Sequence, residues 1–97
     1  MTAPTPLMAG KKGLIMGVAN DRSIAWGIAK AARAQGAELA FTYQGDALEK
    51  RVRPLAAEAG SDLLLPCDVC DEGSFDAVFV TLKEKWGMMD FVVHAIG

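Results

Sequence analysis

Four short apolar runs alternate with three helical patterns along the chain, and that alternation restricts the possible folds more than any other feature. GLIM, within residues 12–16, AELAFTY at 37–43, residues 62–67 and FVVHAI at 91–96 read as strands. Neither of the first two alternates cleanly between apolar and polar, which marks strands covered on both faces. Residues 23–35, 46–59 and 72–86 read as helices, and each ends at a glycine: Gly36, Gly60 and Gly87. On the second helix Leu48, Val52, Leu55 and Ala59 fall on one face; on the third, Phe75, Val78, Phe79, Leu82 and Trp86 do. Asp71 stands where it can cap the third helix, and Pro54 predicts a kink or break near Arg53 in the second. Strand-helix alternation with short loops requires a parallel sheet, because parallel neighbours need crossover connections. The expected fold is α/β: the first half of a Rossmann-type doubly wound parallel sheet, β-α-β-α-β-α-β in spatial order 3-2-1-4. Residues 1–10 read as a leader. Residues 11–97 read as the N-terminal part of a single dinucleotide-binding domain that continues further, because the fourth strand would otherwise present a bare apolar edge.

Composition removes several classes of function. With ten Lys+Arg against twelve Asp+Glu the net charge is −2, and no block of like charge offers nucleic acid or an anionic membrane a surface. No apolar run approaches the roughly 20 residues of a spanning helix. The lysines follow the mildly apolar N-terminal part rather than precede it, unlike a secretory signal. A cytoplasmic protein is expected. Cys67 and Cys70 form a CxxC, but a structural zinc site needs about four ligands and the chain adds only His94. Asp68 between the thiols disfavours a redox thiolate, so both are read as ordinary reduced cysteines. His94 is read as a satisfied histidine in a buried strand rather than a ligand or base.

The stretch LIMGVANDRSIAWGIA, residues 14–29, carries the chemistry. Gly17 ends the first strand and, lacking a side chain, allows a diphosphate to approach the backbone. After a widened loop, the helix opening at Ser23 offers unpaired N–H groups, the positive end of its dipole and a hydroxyl. Ala25, Gly27 and Ala29 are small enough for that helix to lie close on the sheet. Ligands of open parallel sheets sit beyond the carboxyl ends of the strands where the strand order reverses, here between the first and fourth strands. The second strand ends in Tyr43-Gln44-Gly45-Asp46, with no base for a 2′-phosphate and no acid at the tip. Gln44 suits ribose hydroxyls or adenine, and NADH is expected over NADPH. Asp68 and Val69 stand where an adenine edge would lie. The fourth strand ends in Ala95-Ile96-Gly97, small enough to run beneath a ribose.

Taken together, GVANDRSIAWGIAKA, GAELAFTYQGD, the CDV of residues 67–69 and FVVHAIG resemble the bacterial enoyl-acyl-carrier-protein reductases, a divergent branch of the short-chain dehydrogenase/reductase family. Met16, where threonine is common, and Pro54 depart from that pattern. The resemblance implies that Gly17, Ser23 and Ile24 hold the diphosphate side of NADH, Gln44 the adenosine ribose region, Asp68 and Val69 the adenine, and Ile96 with Gly97 the nicotinamide-side ribose. It also implies a homotetramer that reduces the trans-2,3 double bond of enoyl-acyl-carrier-protein in fatty-acid biosynthesis. The catalytic tyrosine and lysine of that family are expected beyond residue 97, so this segment alone is expected to be inactive. Tyr43, the only tyrosine, sits on the adenosine side. An ordinary short-chain alcohol dehydrogenase and a non-catalytic NAD-binding module remain open alternatives. The first shares the phosphate cradle, and the second would bind the cofactor without turnover.

Overall fold

The computed structural model describes residues 10–18, 22–68 and 72–94. Its elements run β1 (Lys12–Met16), α1 (Ile24–Ala34), β2 (Glu38–Tyr43), α2 (Asp46–Glu58), β3 (Leu64–Pro66), α3 (Glu72–Trp86) and β4 (Phe91–His94). All three strand pairings are parallel, and the order across the sheet is β3-β2-β1-β4. This is the expected half of a doubly wound fold. The third strand is shorter than expected, while the first helix gives up its two end residues to its caps, Ser23 and Gln35. Gly36, Gly60 and Gly87 follow the three helices with positive φ. Asp71 and residues 95–97 lie outside the described residues.

Two-sided burial follows from the period of the strands. Ile15 of β1 with Leu39 and Phe41 of β2 pack against α1 and α2, through Ala25, Trp26, Ala29, Val52, Ala56 and Ala59. Leu14 and Met16 with Ala40 face the opposite way, towards Val78 and Leu82 of α3. Successive side chains of a strand point to opposite faces, so one apolar run serves two cores. Trp26 and Phe41 form the aromatic centre of the first core, ring centroids 6.3 Å apart and tilted by 47°. Ser61 ties α2 to the sheet. Its hydroxyl donates to the Leu39 carbonyl and accepts the Leu63 N–H at 3.1 Å.

The pairing of β1 with β4 joins residues far apart in the chain. Gly13 lies opposite Phe91, whose ring fills the space that a β-carbon at position 13 would need. At the amino end, the Lys12 N–H donates to Asp90 Oδ2 at 2.9 Å and the Asp90 N–H to the Lys12 carbonyl at 2.7 Å.

Several expectations are corrected. The break expected near Arg53 does not occur, and α2 continues as one helix through Pro54. Pro54 and Lys50, four residues before it, both lie on the exposed face, so water can take the Lys50 carbonyl that the missing N–H leaves over, while buried Val52 and Ala56 hold the helix down. Gly27 is exposed, with open space where a side chain would stand; only Ala25 and Ala29 of the small-residue stretch lie buried against the sheet. Phe79 is 41% exposed, at the margin of the face that Val78 and Leu82 bury. His94 is exposed rather than buried among the described residues, where β4 pairs with β1 alone. Its ring lies 6.4 Å from that of Phe75.

Candidate functional site

The strand order reverses between β1 and β4, and the residues that follow the carboxyl ends of the strands converge there and along the neighbouring edge. Met16 and His94 are the last paired residues of the two strands. Gly17 comes next, with φ +107°, a conformation in which a β-carbon would clash with its own backbone. Val18 then turns into the core. Ser23 caps α1 with extended backbone, and its carbonyl accepts from the N–H groups of Trp26 and Gly27 at 3.1 and 3.2 Å. Its hydroxyl makes no capping bond, so the Ser23 side chain does not cover the first amides of α1. Ile24 is 78% exposed. A large apolar side chain presented to solvent beside those amides is what a partly apolar anionic ligand would cover.

Gln44 and Asp68 extend the same edge across β2 and β3. Tyr43 pairs with Pro66, and the Cys67 N–H donates to the Tyr43 carbonyl at 2.8 Å, which carries the two chains together past the sheet. Gln44 Nε2 then donates to Asp68 Oδ1 at 3.2 Å, and the Asp68 N–H donates to Ser74 Oγ at 2.8 Å. Asp68 is thus a side-chain partner of Gln44 as well as a residue held by the first turn of α3. Ser74 has no sequence signal of its own, since a serine early in a helix is ordinary. Val69, Ile96 and Gly97 lie outside the described residues, as does Cys70. Cys67 is buried.

A second polar group flanks Gln44. The Tyr43 phenol and the Glu49 carboxylate interact, and Arg53 Nη2 lies 3.3 Å from Glu49 Oε2. The Tyr43 interaction, with Arg53 adding to it, holds the Glu49 carboxyl below the usual glutamate range, while Glu49 pushes the Tyr43 phenol above its own. A depressed carboxylate stabilises the fold above its ordinary range, and that contribution disappears as pH falls through the lower folded-state value. Glu49→Gln is therefore expected to lower the urea midpoint of the natural full-length polypeptide slightly at neutral pH. The gap should close as pH is lowered through the acidic range; a gap that widens on acidification contradicts the arrangement.

Two cavities lie away from this edge. One of about 210 Å³ is lined by Phe79, Leu82 and Met88, and one of about 340 Å³ by Arg33, Glu38 and Trp86. They adjoin the amino ends of the strands, opposite the switch point. Among the described residues no group of His, Cys, Asp and Glu could hold a metal ion, and no helix is long and apolar enough to cross a membrane.

Comparison with known proteins agrees with this geometry. A family model described as enoyl-(acyl carrier protein) reductase matches residues 17–97. The enoyl-[acyl-carrier-protein] reductase [NADH] 2 of Rhizobium meliloti is 75% identical over 91 residues, 94% of this chain and 34% of the relative. That of Rickettsia typhi is 52% identical over 92 residues, 95% of this chain and 35% of its own length. Among solved structures, the enoyl-(acyl-carrier-protein) reductase of Anaplasma phagocytophilum in complex with NAD superposes with a TM-score of 0.89 at 56% identity, covering 97% of this chain and 36% of that one. FabI of Candidatus Liberibacter asiaticus gives 0.90 at 54%, covering 94% and 35%. The chain therefore spans about a third of the length of its relatives. A match over that many residues, on a sheet of the same topology, means that the chain belongs to the enoyl-(acyl carrier protein) reductase family.

Proposed function

We propose that these residues form the dinucleotide-binding part of an NADH-dependent reductase acting on the trans-2,3 double bond of an enoyl group carried on acyl carrier protein. The observation that carries the reading is the conjunction at the switch point: Gly17 at φ +107°, amides at the start of α1 that the Ser23 side chain does not cap, and the exposed Ile24 beside them. Those features fit a diphosphate flanked by less polar groups, and a relative at 56% identity is described in complex with NAD.

The cofactor supplies hydride chemistry when bound; the chain's residues hold and orient it. Gly17 lets the diphosphate approach the backbone, the amides at Ser23 and Ile24 face its charge, and the Ile24 side chain keeps water from one side of it. Gln44 meets the adenosine ribose, and Asp68 with Val69 meets the adenine. Ile96 and Gly97 run beneath the nicotinamide-side ribose, a role supported by the family resemblance. Tyr43 ends β2, on the adenosine side, and is assigned no catalytic role. The same resemblance supports a cytoplasmic homotetramer.

The test is turnover by the natural full-length polypeptide. With NADH and a crotonyl thioester, absorbance at the nicotinamide band should fall only when both are present. Oxidation coupled to a ketone but not to the enoyl thioester would instead make it an ordinary short-chain dehydrogenase. Tight NADH binding without turnover of either would make it a binding module.

A further inference from the structure

Two residues proposed to face the adenosine hold each other. Gln44 Nε2 donates to Asp68 Oδ1 at 3.2 Å, and Asp68 is held from behind by its N–H bond to Ser74 Oγ at 2.8 Å. A carboxylate accepts hydrogen bonds, whereas the two ends of an amide differ: the nitrogen donates and the oxygen accepts. The bond to Asp68 therefore takes one of the two Gln44 N–H donors and fixes the turn of the amide, with its NH₂ end towards Asp68 and Oε1 at the opposite end, away from the carboxylate.

We propose that Asp68, positioned by Ser74, locks the Gln44 amide with its acceptor turned to the adenosine ribose, and that this lock selects a dinucleotide with a free 2′-hydroxyl against one carrying a 2′-phosphate. The inference rests on the reading of Gln44 as the ribose-facing residue. A 2′-hydroxyl has a proton to give to Oε1. A 2′-phosphate presents charged acceptor oxygens, so at this position it meets another acceptor, with the Asp68 carboxylate one hydrogen bond further on. An amide free to turn would offer its NH₂ group instead and accommodate either cofactor.

The surroundings reinforce the sign of this preference. The amino end of a helix normally attracts a phosphate. The α2 helix, which starts one residue beyond Gly45, carries Asp46 and Glu49 in its first turn. Glu49 also takes the Arg53 guanidinium, at 3.3 Å. Gln44 and Asp68 are both exposed, so their bond is weak in water and strengthens when a bound dinucleotide excludes solvent. Discrimination thus arises from a committed acceptor as well as from a missing base.

The experiment measures the Kd of NADH and of NADPH, by fluorescence titration, for the natural full-length polypeptide and for Asp68→Asn, Ser74→Ala and Ser74→Thr. Asparagine offers Gln44 either a donor or an acceptor, so Asp68→Asn should lower the NADPH-to-NADH Kd ratio by about tenfold, the worth of one hydrogen bond to a charged group. Ser74→Ala keeps every charge and should shift the ratio the same way by about threefold. Ser74→Thr, which retains the hydroxyl, should restore it. An unchanged ratio in Asp68→Asn, with both cofactors weakened alike, overturns the lock and leaves the dinucleotide reading intact. A shift in Asp68→Asn that added salt removes and that Ser74→Ala does not share assigns the effect to charge alone and also overturns the lock. Failure of the folded wild-type protein to bind NADH overturns both.

Discussion

Replacing Gly17 with valine is expected to raise the Kd for NADH by about 100-fold. Two effects combine. Gly17 has φ +107°, and a β-branched residue forced into such a conformation costs on the order of 1–3 kcal/mol or makes the loop move. The valine side chain would also fill the space through which a diphosphate reaches the backbone. Gly27 provides the contrast. It lies inside α1 and is exposed, with nothing near its missing side chain, so Gly27→Ala should stabilise the fold by about 0.5–1 kcal/mol through helix propensity and leave the NADH Kd unchanged. Titrating NADH against both variants, with a urea melt of each, separates a glycine required by the ligand from one that merely occurs nearby. Comparable affinities in the two would contradict the diphosphate role of Gly17.

Phe41→Ala is expected to cost about 3–5 kcal/mol of stability. The ring is fully buried in β2 between α1 and α2 and lies against Trp26, itself only 2% exposed. Truncation leaves a void bounded by a strand paired on both sides, which cannot collapse to fill it. Fluorescence-detected urea unfolding of the natural full-length polypeptide should show the loss, with Trp26 reporting on the same pocket. A change below about 1 kcal/mol would mean that the two helices close over the gap, and that the core is less constrained than the packing implies.

The order of elements was legible in the residues because every level agreed: uninterrupted apolar runs for two-sided strands, 3.6-residue periodicity for helices, and a glycine after each helix. The positions of Gly17 and Ser23 beside the switch point were legible for the same reason, since a strand, a loop and a helix start adjoin in the chain; Ile24 entered through the family resemblance. What escaped depends on position within the sheet. FVVHAI carries no mark of which strands flank it, so the local pattern leaves the exposure of His94 undetermined; among these residues β4 pairs with β1 alone and His94 is exposed. The helical pattern gathered Phe79 with Val78 and Leu82 but could not say where the buried stripe ends. Pro54 was given its intrinsic helix-breaking tendency, which an exposed face and two buried neighbours override. The Gln44–Asp68 bond spans 24 residues and depends on the Tyr43–Pro66 register of two strands, which no local pattern encodes. Ser74 was missed because its contribution is a hydroxyl aimed at another element's backbone.

The pairing of Lys12 with Asp90, and of Gly13 with Phe91, has a temporal consequence. Synthesis runs from the amino end, and non-local strand pairings form slowly because a long loop must close first. On the ribosome, β1 has β2 as its neighbour early, yet the groove beside it gains its second wall only after FVVH has emerged. A nascent chain shorter than that holds one flank of the switch point only, so the crevice between β1 and β4 cannot exist before the fourth strand has left the ribosome.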